Sequence, residues 1–334
     1  MYADIARRLP STSARWHSPE FRAELSEWVA ESVGEPLSME SFHDRPWSTV
    51  WRVVASSGIY FAKQNTPLQG FEAALVVELA AISPTFVVPV TAANVDRGLL
   101  LSPDLGSVLG QHVDLADASA LVETTRRVVA AAAELQRQVV GDAERLAAAG
   151  LVRLAPVDVV GYVEQRLVDF ASLSESDPRA LTSDQTQRIK ACLPELPRLV
   201  DTVSSLGLPL TLQHNDLHLA NVFEVGEELR FFDFGDAVMS EPLAALMVPL
   251  RGLASLLECG PHDPRVLQAA EPALEVWSDI APVPALRAAL PSALRLARLA
   301  RSESWLRCLP SMTDSELSEF GEAASYWLAA IAEP

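Results

Sequence analysis

Cysteine is scarce: Cys192, Cys259 and Cys308 are the only three in 334 residues, odd in number and far apart. That spacing argues against a disulfide framework and against a cysteine-based zinc site. No apolar run reaches the roughly 18–20 residues that a membrane span needs. The first residues, Met1-Tyr2-Ala3-Asp4-Ile5-Ala6-Arg7-Arg8, lack the apolar segment of a secretory signal. A cytoplasmic protein with no membrane partner is expected. Positive charge is in the minority, with 26 Lys and Arg against 44 Asp and Glu and a net charge of −18. Phosphate binding wants clustered cations, so no nucleic-acid partner is expected, and the balance suits a cationic or neutral small substrate. Repeats and long low-complexity linkers are missing too. The composition that remains, 49% hydrophobic and 21% charged, is that of an ordinary globular protein. A chain of this length suggests two lobes or domains.

Pro19–Val33 is predicted as an amphipathic helix with Phe21, Leu25, Trp28 and Val29 on one side. It either covers the following lobe or meets a partner. Leu37–His43, Thr49–Ala55 and Ile59–Gln64 are short and rich in β-branched and aromatic residues, and are broken at Arg45-Pro46 and Ser56-Ser57-Gly58. A helix from about Gly70 to Ala81 and two further strands, Phe86–Thr91 and Gly98–Leu101, complete a unit over residues 1–102. It is expected to be an antiparallel sheet with a helix packed on it. Beyond a hinge near 102–106, helical spacing dominates residues 103–334: Ala116–Gln138, Pro156–Ser172, Thr182–Ser205, Pro242–Glu258, Arg265–Ile280, Val283–Ala300 and Asp314–Ala330. The fold class is therefore α+β and bilobal, with the active site in the cleft between a small sheet lobe and a large helical lobe.

A hairpin interrupts the helical part. Its strands are Asn221–Glu224 and Leu229–Phe232, so Asn221 and Asp233 should lie side by side. The hairpin is preceded by His214-Asn215-Asp216-Leu217-His218 and followed by Asp233-Phe234-Gly235-Asp236. Asp216 lies five residues before Asn221, the separation that puts an aspartate on an acceptor hydroxyl and an amide oxygen on a metal. Asp233, at a strand end beside a flexible glycine, can bridge that metal between phosphates. Each motif alone is also what an Asx-rich loop or a turn looks like; together, in order and a hairpin apart, they read as the clamp of phosphoryl transfer from ATP. Lys63, on an alternating strand of a unit otherwise poor in lysine, can reach phosphates if an acid holds it. Glu72 is preferred over Glu78, which is six residues further along the helix and on another face. Ser48 and Thr49, in Trp47-Ser48-Thr49-Val50, stand where a glycine-rich phosphate loop is missing. Asp236 meets a substrate group or, the reading preferred here, caps the helix near Pro242. His214 and His218 support the loop without a chemical role, and Trp277, Trp305 and Trp327 read as core.

These residues together resemble the aminoglycoside phosphotransferase and choline kinase family, which is similar in fold to protein kinases. LQHNDLHLANVF at 212–223 and LRFFDFGDAVMSEP at 229–242 carry the resemblance, supported upstream by YFAKQ at 60–64 and by Glu72. GLLLSPDLG at 98–106, with Asp104, looks like the family's hinge, where adenine meets backbone. The resemblance implies ATP and Mg²⁺ as cofactors, Asp216 as catalytic aspartate, Asn221 and Asp233 as metal ligands, and Lys63 steadying the phosphates. It implies a small-molecule hydroxyl as acceptor: an amino sugar, aminoglycoside or related alcohol. Asn215 replaces a usual Gly, and Leu219-Ala220 a frequent Pro-Gly; neither change removes a chemical group. The competing readings are a non-catalytic nucleotide-binding protein of the same fold and a metal-dependent hydrolase using His214, Asp216 and His218.

Overall fold

The computed structural model describes residues 3–333; Met1, Tyr2 and Pro334, the extreme ends of the two expected units, lie outside the described residues. Two helices, α1 (Thr12–Trp16) and α2 (Pro19–Val33), precede a sheet of β1 (Ser38–Arg45), β2 (Ser48–Ala55), β3 (Gly58–Asn65), β4 (Ala92–Asn94) and β5 (Leu99–Pro103). The sheet is antiparallel in the order β1-β2-β3-β5-β4, and α3 (Glu72–Ile82) links β3 to β4. Helix α2 starts where Ser18 accepts a hydrogen bond from the Phe21 amide and Pro19 supplies a preset first turn. Its apolar side packs on Trp51, Val53, Ala62, Leu99 and Leu101, so this helix covers the sheet. Phe21, Leu25 and Val29 are at most 1% exposed, and each such burial contributes about 1.5–3 kcal/mol.

The helical lobe comprises α4 (Ala118–Val139), α5 (Ala143–Ala148), α6 (Val159–Ala171), α7 (Ser183–Cys192) and α8 (Leu196–Ser204), followed by four short strands. Strand β6 (Thr211–Gln213) pairs with β9 (Val238–Ser240), and β7 (Val222–Val225) pairs with β8 (Glu228–Phe231). Helices α9 (Met247–Leu256), α10 (Pro264–Val276), α11 (Val283–Cys308), α12 (Asp314–Phe320) and α13 (Ala323–Ala329) complete the chain. The α+β arrangement of a small antiparallel sheet beside a larger helical lobe is the one expected. Among the described residues no helix is long and apolar enough to cross a membrane.

Four expectations need correction. Phe86–Thr91 is not a sheet strand: Phe86 and Val88 bond to Phe231 of the hairpin, Pro89 has no amide to continue a ladder, and pairing on β5 resumes at β4. The helix expected over Thr182–Ser205 is broken between α7 and α8 by a tight turn at Leu193–Glu195 that contains Pro194. That expected over Asp314–Ala330 divides at Gly321 into α12 and α13. Helix α11 runs two turns past Ala300, because Arg301, Ser302, Glu303 and Ser304 face inward although they are polar. Residues 3–9 also stand apart from the rest of the expected 1–102 unit. Ile5 is buried in the helical core, Ala3 N donates to Glu303 Oε1 (2.7 Å) and Leu9 N to Pro310 O (2.8 Å).

Candidate active site

The hairpin β7–β8 turns at Gly226, whose φ of +66° suits a glycine. Phe232 N then donates to Asn221 O at 3.3 Å, which brings the two ends of the hairpin together. Asn221 follows a single tight turn, Leu219–Asn221, closed by its own amide on His218 O (2.8 Å); Leu219-Ala220 make this turn without Pro-Gly. The Asn221 amide nitrogen donates to Asp216 O (2.9 Å) and lies 3.4 Å from Asp216 Oδ2. Its carbonyl oxygen Oδ1, the atom a hard cation takes, accepts no hydrogen bond among the described residues.

Asn215 explains its departure from glycine. Its φ is +65°, a conformation Asn tolerates, and its side-chain amide donates to Asp236 O (3.0 Å) and Ala300 O (2.9 Å). A glycine at this position makes neither bond, so Asn215 ties the Asp216 loop to α11. His214 is fixed equally: Nε2 lies 2.9 Å from Phe232 O, the Asp216 amide donates to Nδ1 (3.3 Å), and the ring packs on Phe234. Burial lowers its pKa, consistent with a neutral imidazole that donates at one nitrogen and accepts at the other. With both His214 ring nitrogens engaged by backbone, the alternating His-Asp-His ligand set of the hydrolase reading does not assemble.

Asp233 has φ +65°, a strained value for a non-glycine residue. It is held from both sides. Its Oδ1 lies 2.5 Å from Lys63 Nζ, and the next amide, Phe234 N, donates to Glu72 Oε1 at 2.7 Å. Lys63 also reaches Glu72 Oε2 at 2.7 Å, and Asn65 Nδ2 donates to the same oxygen at 2.6 Å. A Cβ on Gly235 would stand 2.6 Å from Asn65 Nδ2, so this close approach needs glycine. Burial opposes charge on Lys63, but Asp233 and Glu72 outweigh it and hold the ammonium protonated well beyond its ordinary range. Burial also pushes the Glu72 carboxyl up, against the pull of Lys63. Glu78 points elsewhere, to Arg145 at 2.5 Å.

The remaining expected site residues divide. Ser48 pairs with Asn65 and Val50 with Lys63, so Ser48 shares the Lys63 face of the sheet. Thr49 pairs with Gln64 and belongs to the opposite face with Trp51 and Val53, beneath α2. Its hydroxyl is buried there without a partner and does not face the cleft, which corrects the expectation of a phosphate contact from this side chain. The neighbouring Trp47 closes the β1–β2 turn onto the helical lobe through edge contacts with Trp305 and Phe320 (5.2 and 5.3 Å). Asp104 lies at the hinge. Its amide donates to Ile59 O (2.9 Å) and its carboxylate accepts from Gly106 N (2.8 Å), so the side chain shapes the turn.

Asp236 does not cap the helix near Pro242; Glu241 does, accepting from Leu243 N at 2.7 Å. Asp236 Oδ2 instead meets Arg301 Nη1 at 2.9 Å, while Oδ1 accepts from Gln69 Nε2 (2.8 Å) and from Ser304. Arg301, which the sequence reading missed, also places Nη1 2.9 Å from Asp216 Oδ1 and 2.7 Å from Asn215 O. His218, read as mere support, brings Nε2 to 3.5 Å from Asp216 Oδ2. Burial works to raise the Asp216 pKa, yet His218 and Arg301 prevail and hold it well below the usual carboxylate range. The hydrogen bond to Asp216 in turn raises the His218 pKa.

A sheet-lobe lysine is thus held between a helix carboxylate and the aspartate at one end of the hairpin, and Asn221, bonded to Asp216, stands at the other end. The chain belongs to the phosphotransferase enzyme family, whose sequence model matches residues 43–281. In fold it is similar to a macrolide 2′-phosphotransferase of Brachybacterium faecium (19% identity, 93% of this chain and 98% of that one, TM-score 0.55). It is also similar to the choline kinase of Streptococcus pneumoniae (13%, 94% and 100%, TM-score 0.59). A third likeness is to an ethanolamine kinase of Plasmodium vivax (12%, 95% and 90%, TM-score 0.58). Among curated sequences, a dihydroorotase of an Anaeromyxobacter species is 32% identical over 116 residues, which cover 34% of this chain and 23% of that enzyme. So small a share of that enzyme carries no argument about fold or activity.

Proposed function

We propose that this protein transfers the γ-phosphoryl group of ATP to a hydroxyl of a small molecule, with Mg²⁺. The reading is carried by Lys63, which bonds at once to Glu72 and Asp233, at one end of the hairpin whose other end, Asn221, meets Asp216. Of the units expected over 1–102 and 103–334, residues 10–102 form the nucleotide lobe and residues 103–333 the catalytic and acceptor lobe. Lys63 contacts the α- and β-phosphates with Glu72 holding it in place, and Ser48 with its neighbouring amides covers the phosphates. Backbone near Asp104 meets the adenine. Asn221 Oδ1 and the Asp233 carboxylate are two oxygen donors of the kind Mg²⁺ takes, leaving phosphates and water to fill its shell. The bound cation supplies positive charge beside the transferring group.

Asp216 aligns the acceptor hydroxyl. The acceptor oxygen bonds to the γ-phosphorus, the bond from phosphorus to the β,γ-bridging oxygen breaks, and its electron pair leaves with ADP. The hydroxyl proton passes to Asp216. Because Arg301 and His218 keep that carboxylate a weak base, orientation is its larger task and the proton moves late in a loose transition state. An ATP-dependent reaction of this kind suits the cytoplasm. Mg²⁺-dependent ADP release that needs Asp216 tests the proposal; nucleotide binding with turnover indifferent to Asp216→Asn would favour the non-catalytic alternative.

A further inference from the structure

Asp216 has two unlike sides. Oδ2 faces Asn221 and His218, the metal side; Oδ1 faces Arg301. Among the described residues, one nitrogen of Arg301 makes hydrogen bonds. Nη1 serves Asp216, Asp236 and Asn215 O, whereas Nε and Nη2 have no protein acceptor among the described residues. The guanidinium carbon lies 5.8 Å from the centroid of the Trp327 ring, and that of Arg251 lies 4.9 Å from the same centroid. Trp327 is half-buried.

The three helices that carry or border Arg251, Arg301 and Trp327 are rich in arginine. Helices α9, α11 and α13 carry six arginines and a single acid, Glu303, in a protein of net charge −18. Glu303 is fully buried on Arg166 and Tyr162. Asp236 is occupied by Arg301, Ser304 and Gln69. Four of the arginines hold structure: Arg287 and Arg295 pair with Glu271 and Glu195, and Arg298 and Arg307 bind backbone carbonyls. Arg251, which donates to the Tyr326 hydroxyl at 3.2 Å, and Arg301 stand beside Trp327. An ammonium acceptor would need a free carboxylate or an open aromatic face; this ring already carries two guanidinium groups, and Asp236 and Glu303 are engaged.

We propose that the acceptor carries an anionic group, a carboxylate or a phosphate, beside the hydroxyl that is phosphorylated, and that Arg301 selects it with its Nε–Nη2 edge, with Arg251 assisting across Trp327. The planar fork of arginine matches both oxyanions. The inference rests on the phosphotransferase reading and narrows it away from the amino sugars and aminoglycosides that the resemblance implied.

The test uses the full chain with ATP and Mg²⁺. ADP release and calorimetric binding are measured for gluconate and glucose 6-phosphate against glucose, and for glucosamine and an aminoglycoside. At least one anion should exceed glucose by about tenfold or more in kcat/KM or in affinity, the range of a charge-assisted hydrogen bond. Which anion does so distinguishes carboxylate from phosphate. The anion-to-glucose ratio should fall to near one in Arg301→Gln and recover in part in Arg301→Lys; Arg251→Gln should lower it less. Taking the ratio within each variant removes any general loss from a loosened Asp216. Anions no better than glucose in either readout, or preferred turnover of the amino compounds, would overturn the proposal. The phosphotransferase reading fails separately, by absence of Mg²⁺-dependent ATP binding, and anion binding measured without ATP is independent of it.

Discussion

Glu241 offers a quantitative test of how burial governs the region behind the site. It follows β9 and is 4% exposed, and among the described residues its hydrogen-bond donors are backbone amides of the turn it caps. Burial pushes its carboxyl up to about 7 from an ordinary 4.5, against the pull of the Leu243 and Ala244 amides. It shares a cavity of about 10 Å³ with Gln213, whose buried Oε1 lacks a donor. A carboxylic acid has an O–H to offer there and a carboxylate has none. Between about pH 4.5 and 7 the folded chain therefore keeps a proton that the unfolded chain has released. The folded-state pKa is raised, so this group's contribution to stability falls as pH rises through that window and is flat above it. At about 1.4 kcal/mol per pH unit the total is about 3 kcal/mol. Glu241→Gln retains the capping oxygen and cannot ionise. It should match the parent within about 1 kcal/mol at pH 5 and exceed it by about 3 kcal/mol at pH 8, roughly 4 °C in Tm for a chain of this size. Thermal unfolding of both proteins at the two pH values isolates the effect, since every other titrating group is common to both. An equal difference at pH 5 and pH 8 would refute the assignment of a proton to Glu241.

Two further substitutions probe the ion pairs. Glu72→Gln should destabilise the protein by about 3 kcal/mol, because it leaves a mostly buried lysine with one partner, and should weaken ATP binding. Glu78→Gln, on the surface pair with Arg145, should change stability by less than about 1 kcal/mol; urea unfolding and ATP calorimetry showing equal effects would contradict the roles given to them. Glu303→Gln should lose about 3 kcal/mol or more and loosen residues 3–9, which faster amide exchange of Ile5 to Leu9 would reveal; unchanged exchange would show that the strap does not depend on Glu303.

Most of the sheet lobe is legible in the sequence because its strands alternate and its breaks fall at Pro and Gly. The hairpin is legible for the same reason, and its motif residues converge with Lys63 through topology that spacing implies. Lys63 carried a stronger signal than its strand alone, since the chain contains only one other lysine, Lys190. The rest was hidden where tertiary structure overrides periodicity. Thr49 and Ser48 are neighbours in sequence but lie on opposite faces of one strand. The end of α11 looked like a stop because polar residues broke the apolar spacing, yet Glu303 and Ser304 are buried, and Arg301 is held, by partners far away in the chain. A run of charged and hydroxyl residues at helical spacing, directly following an apolar helix, was the signal available. Asp236 was misjudged for the same reason: its partners, Gln69, Arg301 and Ser304, lie 65 or more residues away.

The most direct measurement is Mg²⁺-dependent ADP release by the parent protein and by Asp216→Asn, with ATP affinity determined for both by calorimetry. Loss of the group that orients the hydroxyl and takes its proton should lower turnover by about 10²–10⁴-fold, while ATP affinity stays within a few-fold because Asp216 faces the acceptor. Equal turnover in the two proteins, with ATP bound equally well, would contradict the phosphotransfer account.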